Sequence, residues 1–144
     1  VIRRAGPGDT TALLPLVEEF CRVDHHPFDP EAVRRALYPL LESDELGVVW
    51  LIVDDGGRPG GYAVITWGYS LESGGRDALL DEFFVLERGG GRGGAALSEM
   101  LADCRRRGMA RVFLETEAAN AAVRRFYARH GFEVEDSVWM SLVL

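Results

Sequence analysis

Leu80–Leu101 reads LDEFFVLERGGGRGGAALSEML, and its punctuation decides the architecture. Asp81 to Leu86 has the aromatic and branched character of a strand. The run Gly89-Gly90-Gly91-Arg92-Gly93-Gly94 cannot continue it, and Ala95-Ala96-Leu97 opens a helix. A strand, a glycine loop and a helix N-terminus together make an anion site. The first N–H groups of a helix lack intrahelical acceptors, and the helix dipole favours negative charge there. Glycines also let a phosphate approach the backbone closely. The stretch predicts a site for a phosphorylated cofactor.

The rest of the chain bounds the answer. Its 144 residues suffice for one domain with its own core. No apolar run approaches a membrane span, and the opening VIRRAGPGD has no apolar leader segment. Cys21 and Cys104 are too few and too scattered for a disulfide framework, so free thiols in a cytoplasmic protein are expected. A net charge of −7 argues against nucleic acid as the main partner. All 16 basic residues are arginine. That excludes a Walker-type phosphate loop and a Schiff-base mechanism, both of which need lysine.

Working outward, Val1–Arg4 reads as an edge strand. Asp9 or Thr10 caps a helix with Leu13, Leu14, Leu16, Val17 and Phe20 on its apolar side, and Pro15 in its first turns. After His25-His26-Pro27, Asp29 caps a second helix that starts at Pro30. Leu46–Val53 and Gly61–Tyr69 form a hairpin across Asp54-Asp55-Gly56-Gly57. Ser70–Asp77 reads as a polar connection. Beyond the central stretch come a strand over Ala110–Thr116, a helix over Asn120–His130 stopped by Gly131, and strands over Phe132–Glu135 and Val138–Leu144. The order β-α-α-β-β-β-α-β-α-β-β predicts an α/β fold, a mixed sheet with helices on its faces.

One reading of the loop is a dinucleotide fingerprint. Gly89, Gly91 and Gly94 satisfy G-x-G-x-x-G, and Glu115 lies near the end of the next strand. Only a short tail follows Glu115, leaving no second mononucleotide half. Asp81 and Glu82 also put charge into a strand that a doubly wound sheet buries on both faces.

A second reading joins the loop to a later motif. Asp81-Glu82-Phe83-Phe84-Val85-Leu86, the glycine loop, and Asn120-x-x-Val123-x-x-Phe126-Tyr127-x-x-x-Gly131-Phe132 resemble the GNAT superfamily of acetyl-CoA-dependent N-acetyltransferases. The family's loop runs Q/R-x-x-G-x-G/A. Counted from Val85, Gly90 stands at the Q/R position, Gly93 at the middle glycine and Ala95 at the last. The register Arg88-x-x-Gly91-x-Gly93 fits the letters better but shortens the connection by two residues. The resemblance implies a mostly antiparallel central sheet with helices on both faces. It also implies that Gly90, Gly91, Arg92, Gly93, Gly94 and Ala95 cradle the pyrophosphate of acetyl-CoA. The strands around Phe84 and Val85 and around Ala110–Thr116 would splay, the pantetheine arm pairing with the backbone near Phe84 and Val85. A backbone N–H there would face the oxyanion of the tetrahedral intermediate.

The same resemblance makes Tyr127 the acid that protonates the departing thiolate and places Asn120 beside the cofactor, two helical turns away on one face. An ammonium has no lone pair and must lose a proton to attack. A carboxylate on the strand beside the acetyl group is the natural base, with Glu82 first and Asp81 second. The two point to opposite faces of a strand. Cys21, His25 and His26 show no metal-ligand spacing. Trp50, Trp67, Tyr69 and Glu72 are candidates for the acceptor pocket, Trp50 reading more readily as core. Arg105-Arg106-Arg107 suits a helix C-terminus, and Arg124-Arg125 a solvated face within reach of phosphates. The expected activity is acetyl transfer to a primary amine of a small molecule or peptide, with no membrane or nucleic-acid partner. Edge strands leave a homodimer open. The competing classes are a nucleotide-binding redox domain and a noncatalytic CoA-binding module.

Overall fold

The computed structural model describes residues 1–144. Five strands form one sheet in the order β1-β2-β3-β4-β5: β1 (Ile2–Arg4), β2 (Gly47–Val53), β3 (Pro59–Ser70), β4 (Gly75–Val85) and β5 (Arg111–Phe113). The first three pairings are antiparallel and β4–β5 is parallel. The helices are α1 (Thr10–Val23), α2 (Pro30–Glu42), α3 (Arg92–Arg106) and α4 (Ala121–Ala128).

Strand alternation divides the apolar side chains between two cores, one on each face of the sheet. Val49, Leu51, Tyr62, Val64 and Phe84 meet Leu13, Leu16 and Val17 of α1 and Leu37 and Leu41 of α2. Val48, Trp50, Ile52, Ala63, Ile65, Ala78 and Leu80 meet Ala96, Leu97, Met100 and Cys104 of α3. Each fully buried aliphatic side chain contributes about 1.5–3 kcal/mol. The α2 start is as the sequence predicts: the Asp29 carboxylate accepts from the N–H groups of Glu31 (3.1 Å) and Ala32 (3.3 Å), with Pro30 at the first helical position.

Register is kept through β4 except at one place. Glu82 lies opposite Val64 and Leu80 opposite Ile65, so Asp81 is an extra residue, a β-bulge. Ala78 and Leu80 point to the α3 side, whereas Phe84, of the same parity, points to α1 and α2. The bulge therefore exchanges the faces midway along the strand. Glu82 is turned to the α1/α2 side, and Phe83 and Val85 to the α3 side.

Four expectations are corrected. Ser70–Asp77 is not a polar connection: β4 starts at Gly75, pairing Gly75 with Ser70 and Arg76 with Tyr69. The hairpin outruns the core, so its far end keeps the ladder without apolar alternation. The helix begins at Arg92, taking Gly93 and Gly94 into its first turn. The strand expected over Ala110–Thr116 keeps only Arg111–Phe113. Phe132–Glu135 and Val138–Leu144 form no strands, and every residue from Glu133 to Leu144 is exposed. A strand pattern needs a ladder partner, and a three-residue β5 is a short template.

Candidate active site

The site is organised by the end of a ladder. The β4–β5 pairing runs only through Asp77↔Arg111, Ala78↔Val112 and Leu79↔Phe113. From Leu80 to Val85, β4 pairs with β3 on one edge and has no strand on the other. The Leu86 N–H donates to Gly60 O at 2.9 Å. Antiparallel alternation then commits the Phe84 N–H and C=O to β3 and turns those of Val85 toward the gap. Of the two positions expected to pair with the cofactor, the backbone of Val85 is available and that of Phe84 is spent. The Phe84 ring packs among Phe20 and Tyr62 on the α1/α2 side.

The open edge leads to the glycine loop. Gly89 (φ +90°) and Gly91 (φ +75°) occupy the left-handed region, and Gly91 is the residue before α3. None of the N–H groups from Gly89 to Gly94 has an acceptor within the chain. The Ala95 N–H does have one, Gly91 O at 3.0 Å, so Ala95 closes the cradle without donating to it. At Gly93, a Cβ would lie 3.7 Å from Val85 Cγ2 and 3.9 Å from the rings of Phe126 and Phe83. A longer side chain there would enter the space between β4 and α4. A pocket of about 470 Å³ beside the loop takes in Gly90, Gly91, Arg92 and Ala95, with Arg58 opposite.

Tyr127 stands on the α3 side of the sheet. It packs edge-on to Phe126 (5.2 Å) and Phe132 (5.5 Å), and burial pushes its phenol up to about 12. It is neutral and a hydrogen-bond donor at physiological pH. It lines a groove of about 1290 Å³ that passes Glu72, Cys104, Phe113 and Trp139. That groove reaches neither Glu82 nor the glycine loop.

Glu82 lies on the opposite face. Its Oε1 accepts from the Tyr62 hydroxyl at 2.5 Å. Burial raises its carboxyl above the ordinary range, Asp81 and Asp24 add to the rise, and Tyr62 and His26 work against it. Asp81, at the bulge, is exposed. The Glu82 carboxylate and the Tyr127 phenol thus stand on opposite faces of the sheet.

Several side chains fall elsewhere than expected. Asn120 is not on the helix face; it is the cap of α4, its Oδ1 accepting from the Val123 N–H at 3.1 Å. Arg124 turns back to donate to Glu117 O and Ala118 O rather than toward a phosphate. Trp50 belongs to the α3-side core. Trp67 donates its indole N–H to Asp44 O at 2.8 Å beneath the Arg107 guanidinium. Tyr69 projects into solvent. No group of three or more His, Cys, Asp or Glu residues is arranged to hold a metal.

Sequence reasoning missed Tyr62, Phe83 and His130. The Phe83 and Phe126 rings stand 6.3 Å apart across the gap, joining β4 to α4. His130 packs on Phe126 (5.0 Å), and its Nε2 lies 3.5 Å from where a Gly94 Cβ would sit. Alternation along β4 carries a signal for Phe83 only once the bulge is known.

Fold and site together define an α/β protein whose open strand edge runs into a glycine loop with free N–H groups at a helix N-terminus. The chain belongs to the GNAT acetyltransferase family, whose model matches residues 13–132. Among solved structures it is similar to an integron cassette protein from the mobile metagenome of Cole Harbour Salt Marsh. That likeness has 33% identity and a TM-score of 0.87, over 99% of this chain and 90% of that one. An acetyltransferase-class protein of Arthrobacter sp. FB24 is 27% identical, with a TM-score of 0.84 over 100% and 96% of the two chains. A ribosomal-protein-alanine N-acetyltransferase of Brucella melitensis biovar Abortus 2308 shares the fold at 18% identity, with a TM-score of 0.75 over 100% and 98%. No curated protein sequence matches the chain significantly. No helix is long and apolar enough to cross a membrane.

Proposed function

We propose that residues 1–144 act as a single N-acetyltransferase domain, moving an acetyl group from acetyl-CoA to a primary amine of a small molecule or peptide by direct attack. The observation that carries this reading is the unpaired β4 edge, which ends at a run of free N–H groups and has a half-buried carboxylate behind it. The N–H groups of Gly89–Gly94 and the α3 dipole hold the pyrophosphate. The Val85 backbone aligns the pantetheine arm along the gap. Glu82, its carboxyl raised by burial, takes the proton of the incoming ammonium, and the freed lone pair attacks the thioester carbonyl. An N–H of the open edge stabilises the oxyanion.

Collapse of the tetrahedral intermediate breaks the C–S bond. Tyr127 meets the departing sulfur from the α3 side. A phenol near 12 is a weaker acid than a thiol near 8.5, so its main contribution is a hydrogen bond to the thiolate as charge develops. Acceptor and cofactor approach from opposite faces of the sheet, and the cytoplasm supplies both. Nucleic acid and membrane are not needed as partners.

The test is thermal unfolding with acetyl-CoA, CoA, NAD⁺ and NADH at equal excess. A ligand at about one hundred times its dissociation constant adds roughly 2.7 kcal/mol. A raised midpoint with the CoA ligands alone supports the proposal, and thiol release over an amine panel then identifies the acceptor. A rise with the dinucleotides alone overturns it. Cofactor binding with wild-type function in both Glu82→Gln and Tyr127→Phe would indicate a noncatalytic CoA-binding module instead.

A further inference from the structure

We infer that Tyr62 is the positioning residue of Glu82: its hydroxyl fixes one carboxylate oxygen and leaves the other for the ammonium. This deepens the acetyl-transfer reading and rests on it. Tyr62 is fully buried on β3, opposite Phe84, and Glu82 is the next residue of β4 on the same face. Its ring is held edge-on to Phe20 (6.2 Å, 89°) and tilted against Phe84 (6.4 Å, 55°). A phenol locked among aromatics needs an acceptor for its proton, and Glu82 Oε1 at 2.5 Å is the one it has. The arrangement depends on the bulge. Were Asp81 paired in regular alternation instead of bulged out, Glu82 would share the face of Leu80 and could not reach Tyr62.

The hydrogen bond does two things. It selects a rotamer, so that Oε2 is the oxygen left for substrate. It also keeps a half-buried carboxyl from rising as far as its surroundings would drive it. Those surroundings are adverse: besides burial, Asp81 on β4 and Asp24 at the end of α1 both disfavour a second negative charge, while His26 alone opposes them. His26 Nε2 is itself 2.8 Å from Asp24 Oδ2. Cys21, also on this side, is held neutral by burial and by Glu82. Tyr62 stays protonated because burial and the neighbouring carboxylate both raise its phenol. The donor is therefore permanent across the working range.

The test titrates Glu82 directly by carboxyl-carbon NMR of protein labelled at glutamate, its signal assigned by loss in Glu82→Gln. In Tyr62→Phe the inflection should move upward by roughly one pH unit or more, the value of one hydrogen bond to a charged acceptor. Acetyl-CoA affinity should be unchanged. An inflection at the wild-type pH overturns the inference. A second arm needs no variant: in wild-type protein labelled at tyrosine, the Tyr62 Cζ signal should titrate with the Glu82 inflection, and a flat Cζ signal also overturns it. Turnover of Glu82→Gln is the separate check on the base. Wild-type turnover there would sink the catalytic reading, while the Tyr62–Glu82 coupling would stand or fall on the NMR alone.

Discussion

The two faces of β4 are built on different physics. On the α1/α2 face stand two side chains, a half-buried carboxylate and a buried phenol hydrogen-bonded to each other. On the α3 face the free N–H groups of a glycine loop and an unpaired strand edge dominate, and the one phenol there, Tyr127, is packed among aromatic rings. Side-chain chemistry tolerates no loss of a functional atom but some change in shape. Backbone chemistry is indifferent to side-chain identity until a side chain occupies the space. The bulge at Asp81 is what lets one strand serve both.

Substitutions should separate the faces. Glu82→Gln should lower turnover by about 10²–10⁴-fold, the usual range for a positioned general base, and leave acetyl-CoA affinity alone. Steady-state kinetics with a titration of cofactor binding reads both. Gly93→Leu should do the reverse, weakening acetyl-CoA binding by about tenfold or more as the new side chain meets Val85, Phe83 and Phe126. Calorimetry checks it, and wild-type affinity would remove the cradle. Tyr127→Phe should cost turnover about tenfold without changing affinity, since a hydrogen bond to developing charge is lost while the ring packing is kept. Gly91→Ala should cost about 1 kcal/mol of stability in denaturant unfolding, because Gly91 sits at φ +75°.

The smallest effect is one of pH. The Glu82 carboxyl is raised in the folded protein, so the native state holds its proton more tightly than the unfolded chain does. Its contribution to stability is full below the unfolded value, about 4.3, and is lost as pH rises through the folded one. Glu82→Gln should therefore melt above wild type at pH 8, with the difference fading by pH 4. A difference that grew toward acid would reverse the sign assigned to this group.

Legibility in the sequence followed the reach of each interaction. The Asp29 cap and the hairpin after Val53 are local, and each was readable from neighbouring residues, whereas α3, expected to open at Ala95, starts at Arg92 because Gly93 and Gly94 join its first turn. Asn120 was readable too, as a cap for the Val123 N–H, although family resemblance drew it toward the cofactor. The bulge was not, because nothing in Leu80-Asp81-Glu82 announces which residue will lack a partner on β3. Tyr62 was missed for the same reason: its meaning lies in a residue on another strand. The C-terminal residues show the opposite error, since Val138–Leu144 has the composition of a strand without a ladder to join.

The halt in β4–β5 pairing at Leu79 also bears on how the protein keeps in solution. An unpaired strand edge is a template for any extended chain, including another copy of itself. Its natural occupant in the proposed reaction is an extended pantetheine arm that makes strand-like hydrogen bonds. The substrate then doubles as a cap against self-association, and purified protein should stay clear longest in buffers that contain it.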